Sequence, residues 1–489
     1  MMPEWKVLLS DNHDLKICHN CVREPFLSDL IKKEGTVSAC HYCEDEEEPC
    51  ITLQDFADQV EAAFERHYIR TSDQPDDYES MLLRDRESDY DWDRHGEPVL
   101  YAIQEAASIP EDAAKDVLDI LDHRNSDLEM MQMGEEWEFH QDSHYDRKST
   151  GDHEFAFEWQ AIERSLKSES RFFNQSAEAF LARLFANLEG TVTRDGHPAV
   201  LIAGPGTAYQ SFFRARVFHR SEELDEAMKR PDLHIGPPPG RLARAGRMNA
   251  NGISMFYGAS EGGVALAEVR PPVGSRALIG EFQLTRPVRL LDVTALQSVY
   301  VEGSIFDPAY LEQLSLAKFL ARLSDRITIP VMPGDEPSEY LITQMIADYL
   351  ARRPAPGLDG ILFPSVQCPG EHRNVALFYH ASRVEAMEFP EGTELSARQY
   401  ESTEDGPEPD YVVWEEVPPL KEREDEKPEE RPCFQIFRQT RYDPNEDFRE
   451  TTLRIDVETV TAHHIGSVAF TTNEFPVRRH RMEKRDWKF

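Results

Sequence analysis

The run Gly246-Arg247-Met248-Asn249-Ala250-Asn251-Gly252, followed by Tyr257 and then by Val264-Ala265-Leu266-Ala267-Glu268, decides how the second half of this chain reads. An arginine stands between a glycine and the pair Met248-Asn249, a tyrosine follows ten residues later, and a glutamate eleven residues after that. The apolar stretch ending at Glu268 predicts that its carboxylate is carried into a semi-buried place, which is costly unless something pairs with it. A cation, a ring and a carboxylate together suit a ligand with phosphate, a flat heterocycle and ribose hydroxyls.

Around this run, from about residue 195, the sequence has the texture of strands. Ala199-Val200-Leu201-Ile202, Ser254-Met255-Phe256-Tyr257, Ala277-Leu278-Ile279, Val288-Arg289-Leu290-Leu291 and Val375-Ala376-Leu377-Phe378 are short apolar runs punctuated by glycine and proline. Arginines gather here at Arg214, Arg216, Arg220, Arg241, Arg244 and Arg247. In Phe212-Phe213-Arg214-Ala215-Arg216-Val217 alternation turns Arg214 to one face of a strand, and a planar guanidinium grips phosphate oxygens with two bonds. Residues 338–352 predict a helix, with Leu341, Met345 and Tyr349 on one stripe beside Ile342, Ile346 and Leu350. After it, Leu358-Asp359-Gly360-Ile361-Leu362-Phe363-Pro364-Ser365 reads as a strand that ends by presenting a hydroxyl at the edge of a sheet. Asn374 begins the next strand and reads as a turn cap.

These segments resemble the RES-domain family, named for arginine, glutamate and serine. The resemblance rests on Phe213-Arg214-Ala215-Arg216, the glycine-flanked run around Arg247, Tyr257, Ala265-Leu266-Ala267-Glu268, Tyr340-Leu341-Ile342-Thr343-Gln344 and Asp359 to Ser365, in order, over about 205–385. Met248 departs from it, since a larger or aromatic residue is more usual after the arginine. The resemblance implies an ADP-ribosyltransferase-like domain with a split, mostly antiparallel sheet. It also implies a bacterial toxin or defence effector that consumes NAD, by hydrolysis, phosphorolysis or transfer of ADP-ribose to a protein. In that chemistry Glu268 stabilises the oxocarbenium-like sugar and accepts a ribose hydroxyl. Arg247 and Arg214 hold the pyrophosphate, Tyr257 stacks on nicotinamide, and Ser365 bonds a phosphate or ribose oxygen. The partners implied are NAD and either an antitoxin or a protein acceptor. The competing readings are a protein ADP-ribosyltransferase on the same residues and a zinc-bearing interaction module whose enzymatic half has decayed.

The front of the chain carries Cys18-x2-Cys21 and Cys40-x2-Cys43. Two such knuckles close a tetrahedral thiolate site around a structural zinc, with no position left open for catalysis. On this reading the metal stands in for a hydrophobic core too small to fold alone. His19 and His41 lie inside the knuckles as further conceivable ligands, and Cys50 reads as a spare thiol. Thr52-x-x-Asp55 predicts a helix cap ahead of Phe56, Val60, Ala63 and Phe64. Helical patterns follow near 110–122 and over 157–188, with polar stretches at 71–97 and 133–156. Arg147 and His153 match the loose spacing of the HEPN ribonucleases, but in a polar stretch they read as solvated loop residues. The layout is similar to the amino-terminal domain that accompanies RES and HEPN toxins.

The expected architecture is therefore α+β. A zinc-knuckle segment (1–50) and a helical domain (51–194) precede a RES domain (195–400), an acidic proline-rich linker (401–432) and a C-terminal β extension (433–489). That extension is expected to hold a strand at 451–457 and a second near 465–470. The chain has 489 residues with 53 Lys and Arg against 91 Asp and Glu, a formal charge of -38. Such a charge argues against nucleic acid as a partner. No apolar run reaches the length of a membrane span, and Met-Met-Pro-Glu-Trp-Lys is not the start of a signal peptide. Seven cysteines in such a chain read as cytoplasmic thiols or metal ligands rather than disulfides.

Overall fold

The computed structural model describes residues 15–43, 45–85, 88–149, 151–332, 334–354, 356–368, 370–404, 406–419, 447–469 and 471–481. Two compact units form. One takes the chain up to Ser165 together with 192–196 and 296–323; the other takes 166–191, 197–295 and the chain from Ser324 onward. No described helix is long and apolar enough to cross a membrane.

In the first unit a small antiparallel sheet joins β1 (Lys16–Cys18), β2 (Thr36–Ser38) and β3 (Glu48–Thr52), with α1 (Pro25–Glu34) between β1 and β2. Then come α2 (Leu53–His67), β4 (Tyr68–Arg70), α3 (Asp77–Arg84), β5 (Glu97–Pro98), α4 (Val99–Ala107), α5 (Glu111–Asn125), α6 (Leu128–Met133), β6 (His144–Arg147) and the start of α7 (His153–Ser168). The predicted cap of α2 is present: Thr52 Oγ1 accepts from the Asp55 N–H at 3.1 Å. The polar stretch at 133–156 nonetheless contains a strand. β6 pairs with both β4 and β5, and Arg147 lies in it over the Tyr68 ring.

The knuckle segment does not pack by itself but shares its core with the helices that follow. Ile17, Val22, Leu27 and Ile31 are buried in one continuous cluster with Phe56, Phe64, Val117 and Leu121 of the helices. Amphipathic α1 buries Leu27 and Ile31 in that cluster, so hydrophobic burial ties the knuckle segment to the helices.

The second unit holds α8 (Gln175–Leu184), β7 (Val200–Ala203), β8 (Ser211–Phe218), α9 (Ser221–Lys229), α10 (Pro231–His234), β9 (Phe256–Ala259), α11 (Gly262–Glu268), β10 (Arg276–Leu284) and β11 (Val288–Asp292). After the end of α12 (Pro308–Thr328) come α13 (Glu336–Arg352), β12 (Gly360–Pro364), β13 (Arg373–Leu377), β14 (Glu394–Thr403), β15 (Gly406–Glu416) and β16 (Leu453–His464). Eight strands make one mixed sheet in the order β16-β10-β8-β9-β13-β12-β11-β7. Only β11 and β12 are parallel neighbours; the rest run antiparallel. One face carries a core built on Phe212, Phe256, Phe282, Leu290 and Leu362. The other carries a smaller cluster in which Val264 and Ala265 of α11 meet Ala215, Ala259 and Ile279.

Three expectations change. The helical pattern over 157–188 is two helices, with Asn174 capping the second by accepting from the Ala177 N–H at 3.0 Å. Residues 401–403 and 406–416, expected as solvated linker, belong to the β14–β15 hairpin. Residues 420–446 lie outside the described part. Among its described residues, the C-terminal extension contributes one long strand, β16, added to the edge of the main sheet against β10. Residues 465–469 form no second strand.

Candidate functional site

The main sheet opens where β8 meets β9. These two strands share a single registered pair, Phe213 with Ala259, whereas β8 pairs with β10 along its whole length. The gap is occupied by Arg214, whose Nη1 donates to the Tyr257 carbonyl at 3.0 Å and whose guanidinium carbon lies 5.4 Å from the Phe256 ring centroid. A cleft of about 260 Å³ forms here, lined by Arg214, Tyr257, Glu268, Phe363 and Asn374 among others. This is just under the usual range of about 300–1,000 Å³ for a drug-sized ligand, a size for a sugar and its base rather than a whole dinucleotide.

Arg214 keeps some contact with solvent in the cleft, yet protein encloses it. Burial, with a smaller contribution from Arg216, lowers its guanidinium to about 10. It therefore stays charged at neutral pH, and among the described residues no carboxylate pairs with it. A confined cation without a counter-charge is a place for an anion. Arg216, two residues on, is exposed and donates to the His234 carbonyl at 2.6 Å. Of the two arginines, only Arg214 serves the cleft.

Glu268 is the last residue of α11. The helix plants Val264 and Ala265 on the sheet and then stops. Arg270 takes a left-handed backbone (φ 44) and its N–H returns to the Ala267 carbonyl at 3.1 Å. Glu268 thus emerges beside the cleft as an exposed residue, while the hydrogen bonds of its carboxylate are part-buried. The apolar run buries the turn before Glu268, not Glu268 itself. A carboxylate at a helix C-terminus gains nothing from the helix dipole. Its support comes instead from two donors: Ser365 Oγ and Asn374 Nδ2 both reach Oε1, each at 2.7 Å.

Ser365 follows Pro364 at the end of β12, and its N–H donates to the His372 carbonyl at 3.0 Å, closing the turn into β13. Its hydroxyl accepts the Cys368 N–H at 3.2 Å. That bond occupies an acceptor lobe and directs the hydroxyl proton to Glu268. Asn374, expected only as a turn cap, stands on β13 between Ala259 and Phe363. Sequence pattern marked its strand but no role for the amide.

The glycine-flanked run forms a compact loop beside the cleft. The Tyr257 hydroxyl accepts the Met248 N–H at 3.0 Å and donates to Asn249 Oδ1 at 2.7 Å. Burial pushes that phenol up, so it remains protonated. Gly246 is required by this packing: a Cβ there would lie 2.7 Å from Asn249 Oδ1 and 2.9 Å from the Tyr257 hydroxyl. The Tyr340-to-Gln344 segment on α13 latches the same loop. Gln344 Nε2 donates to the Gly246 and Asn249 carbonyls at 2.8 and 2.9 Å, and Thr343 Oγ1 donates to the Arg247 carbonyl.

Arg247 does not line the cleft. Its guanidinium donates to the Ile327 carbonyl and lies 5.9 Å from the Tyr340 ring centroid. Burial lowers its guanidinium, with smaller opposing contributions from Tyr340 and then Glu268. Met248 is buried under the loop and forms no wall of the site.

In the first unit Cys18, Cys21, Cys40 and Cys43 bring their sulfurs within 4.8 Å of one another. The Cys18–Cys43 and Cys21–Cys40 pairs are 3.6 and 3.8 Å apart. Tetrahedral zinc with bonds of about 2.3 Å places its sulfurs about 3.8 Å apart. Cys40 Sγ also accepts the Cys18 and Tyr42 N–H groups, each at 3.4 Å, as suits a thiolate. The histidines are engaged elsewhere: His19 Nε2 meets Glu48 at 2.9 Å, and His41 Nδ1 accepts the Lys16 N–H. Cys50 is buried outside the set, its thiol 3.3 Å from the Ser38 and Glu48 carbonyls.

Comparison with known families places a RES domain at residues 213–427. No family match names the cysteine-bearing front part. No curated protein and no solved structure matches the chain.

Proposed function

We propose, from the premise that residues 213–427 are a RES domain, that this unit cleaves NAD at the bond between nicotinamide and ribose. RES domains are associated with NAD-acting toxins, and the cleft offers the groups such cleavage needs. The observation that carries the reading is the opposition of Glu268 and Arg214 in one cleft. A carboxylate whose Oε1 is fixed by two donors leaves Oε2 for substrate. When the C1′–N bond breaks, the bond pair leaves with nicotinamide and the sugar becomes oxocarbenium-like. Glu268 stabilises that charge and accepts the 2′-hydroxyl beside it. Water, or inorganic phosphate, then forms the new C1′–O bond and gives up a proton. Arg214 holds a phosphate oxygen of the dinucleotide, Tyr257 presents its ring to the nicotinamide, and Ser365 orients Glu268. Arg247 adds positive potential and shapes the loop. The split sheet supports an ADP-ribosyltransferase-like architecture.

Incubation with NAD labelled in the adenosine half tests this. ADP-ribose, or its 1″-phosphate when phosphate is supplied, is the expected product. Label on protein instead means transfer, and intact NAD removes the enzymatic reading. Arg214→Lys keeps a charge but loses the planar fork that spans Tyr257 and a phosphate. Its KM for NAD is expected to rise on the order of 10- to 100-fold with a smaller change in kcat; an unchanged KM removes Arg214 from substrate binding.

In the other unit the four cysteines are proposed to hold one structural zinc. Four thiolates complete its coordination, so it takes no part in bond cleavage.

A further inference from the structure

Asn374 carries a feature that nothing in the fold accounts for. The residue is 5% exposed and lines the cleft. Its Nδ2 is bonded to Glu268 Oε1, yet its Oδ1 is buried with no hydrogen-bond partner. The amide orientation follows from chemistry: turned over, Oδ1 would face Oε1, acceptor against acceptor. A buried carbonyl-type oxygen without a donor costs about 1–3 kcal/mol. The strand itself would be served as well by an apolar residue, since its neighbours in register are Ala259 and Phe363.

Two acceptors therefore flank one hydrogen bond. Oε2 is bonded to the carboxyl carbon that bears Oε1, and Oδ1 to the amide carbon that bears Nδ2. Neither oxygen takes a bond from the described residues. A cis-diol offers two donors on adjacent carbons, the complement of such a pair. The assignment of each oxygen follows from the reaction. The carboxylate must stand beside C1′ to stabilise its charge, so it takes the neighbouring 2′-hydroxyl, and the 3′-hydroxyl falls to Asn374. We infer that Asn374 Oδ1 and Glu268 Oε2 together form a clamp for the cis-diol of the nicotinamide ribose, making Asn374 a specificity-determining residue. This rests on the NAD reading above and deepens it: the site selects an intact ribose, not merely a nicotinamide glycoside.

The test compares NAD with its analogue lacking the 3′-hydroxyl of the nicotinamide ribose, in the full-length protein and in Asn374→Ala. The wild type is expected to favour NAD in kcat/KM on the order of 10- to 100-fold, because the analogue leaves Oδ1 unpaired. Asn374→Ala is expected to cleave NAD more slowly but to lose most of that preference. A role confined to positioning Glu268 would slow both substrates equally and leave the ratio intact, which overturns the clamp while NAD cleavage stands. Should the variant not fold, the wild-type ratio alone decides, and a ratio near one overturns the proposal. A wild type that leaves NAD intact overturns the clamp and the underlying activity together.

Discussion

Glu268→Gln is expected to reduce kcat/KM for NAD by about 10³-fold or more while leaving the thermal transition unchanged. The substitution is nearly isosteric. A glutamine oxygen can accept from Ser365 Oγ and Asn374 Nδ2 as Oε1 does now, so the local network survives. What changes is the second position. An NH2 replaces Oε2, the negative charge disappears, and an acceptor for the 2′-hydroxyl becomes a donor facing it. Loss of one preorganised group that stabilises transition-state charge costs about 2.7–4 kcal/mol, roughly 10²–10³ in rate. Here the charge and the acceptor are lost together, which places the effect at the upper end. Single-turnover loss of NAD, with melting followed in parallel, reads both halves of the prediction. Activity within tenfold of wild type, in a protein that melts normally, would mean that Glu268 is not the charge-stabilising group.

How far that site was legible differs residue by residue. The strands around Arg214, Tyr257 and Ser365 follow from short apolar runs, because a sheet buried on both faces imposes such runs directly on its sequence. The preference for Arg214 over Arg216 came from motif position; the structure adds its reason, since only Arg214 fills the gap left by the single β8–β9 pair. The exposure of Glu268 was not legible. It depends on the left-handed turn at Arg270, a residue type with no bias toward that conformation. Asn374 was missed because its partner stands 106 residues earlier, and local pattern distinguishes a turn cap from a site residue only when the partner is near.

The same distinction runs through the rest of the fold. β16 alternates clearly, so its strand character was visible, but its pairing with β10 sets His464 opposite Arg276, far apart in the chain. The Tyr340-to-Gln344 segment was recognisable as part of a motif long before its purpose was. Thr343 and Gln344 hold the backbone of the loop from α13, a set of long-range bonds that leaves no periodic trace. In the front unit, cysteine spacing announced the four-sulfur cluster, while the shared core of Ile17, Val22, Leu27 and Ile31 with the helices did not show, since each apolar run there is short.

That shared core sets the size of the second large effect. Stripping the chain of metal, or replacing Cys40 by serine, is expected to lower the thermal transition of the front unit on the order of 10 °C without unfolding it at room temperature. In a free-standing zinc finger the metal contributes about 10–16 kcal/mol and the apo chain is unfolded. Here Leu27, Ile31, Phe56 and Phe64 are buried in a core shared with the helices, so only part of the unit's stability is expected to rest on the metal. A loss of about 3–5 kcal/mol corresponds to roughly 10 °C, at about 2–4 °C per kcal/mol for a unit of this size. Cys40 is the informative position because its sulfur also accepts the Cys18 and Tyr42 N–H groups; a serine oxygen keeps a weak version of those bonds but not the thiolate. Metal analysis of the purified protein should find one zinc per chain, released by chelator in step with the shift. A chain that carries no zinc and melts identically with and without chelator would make the four sulfurs ordinary thiols packed at the edge of a hydrophobic core.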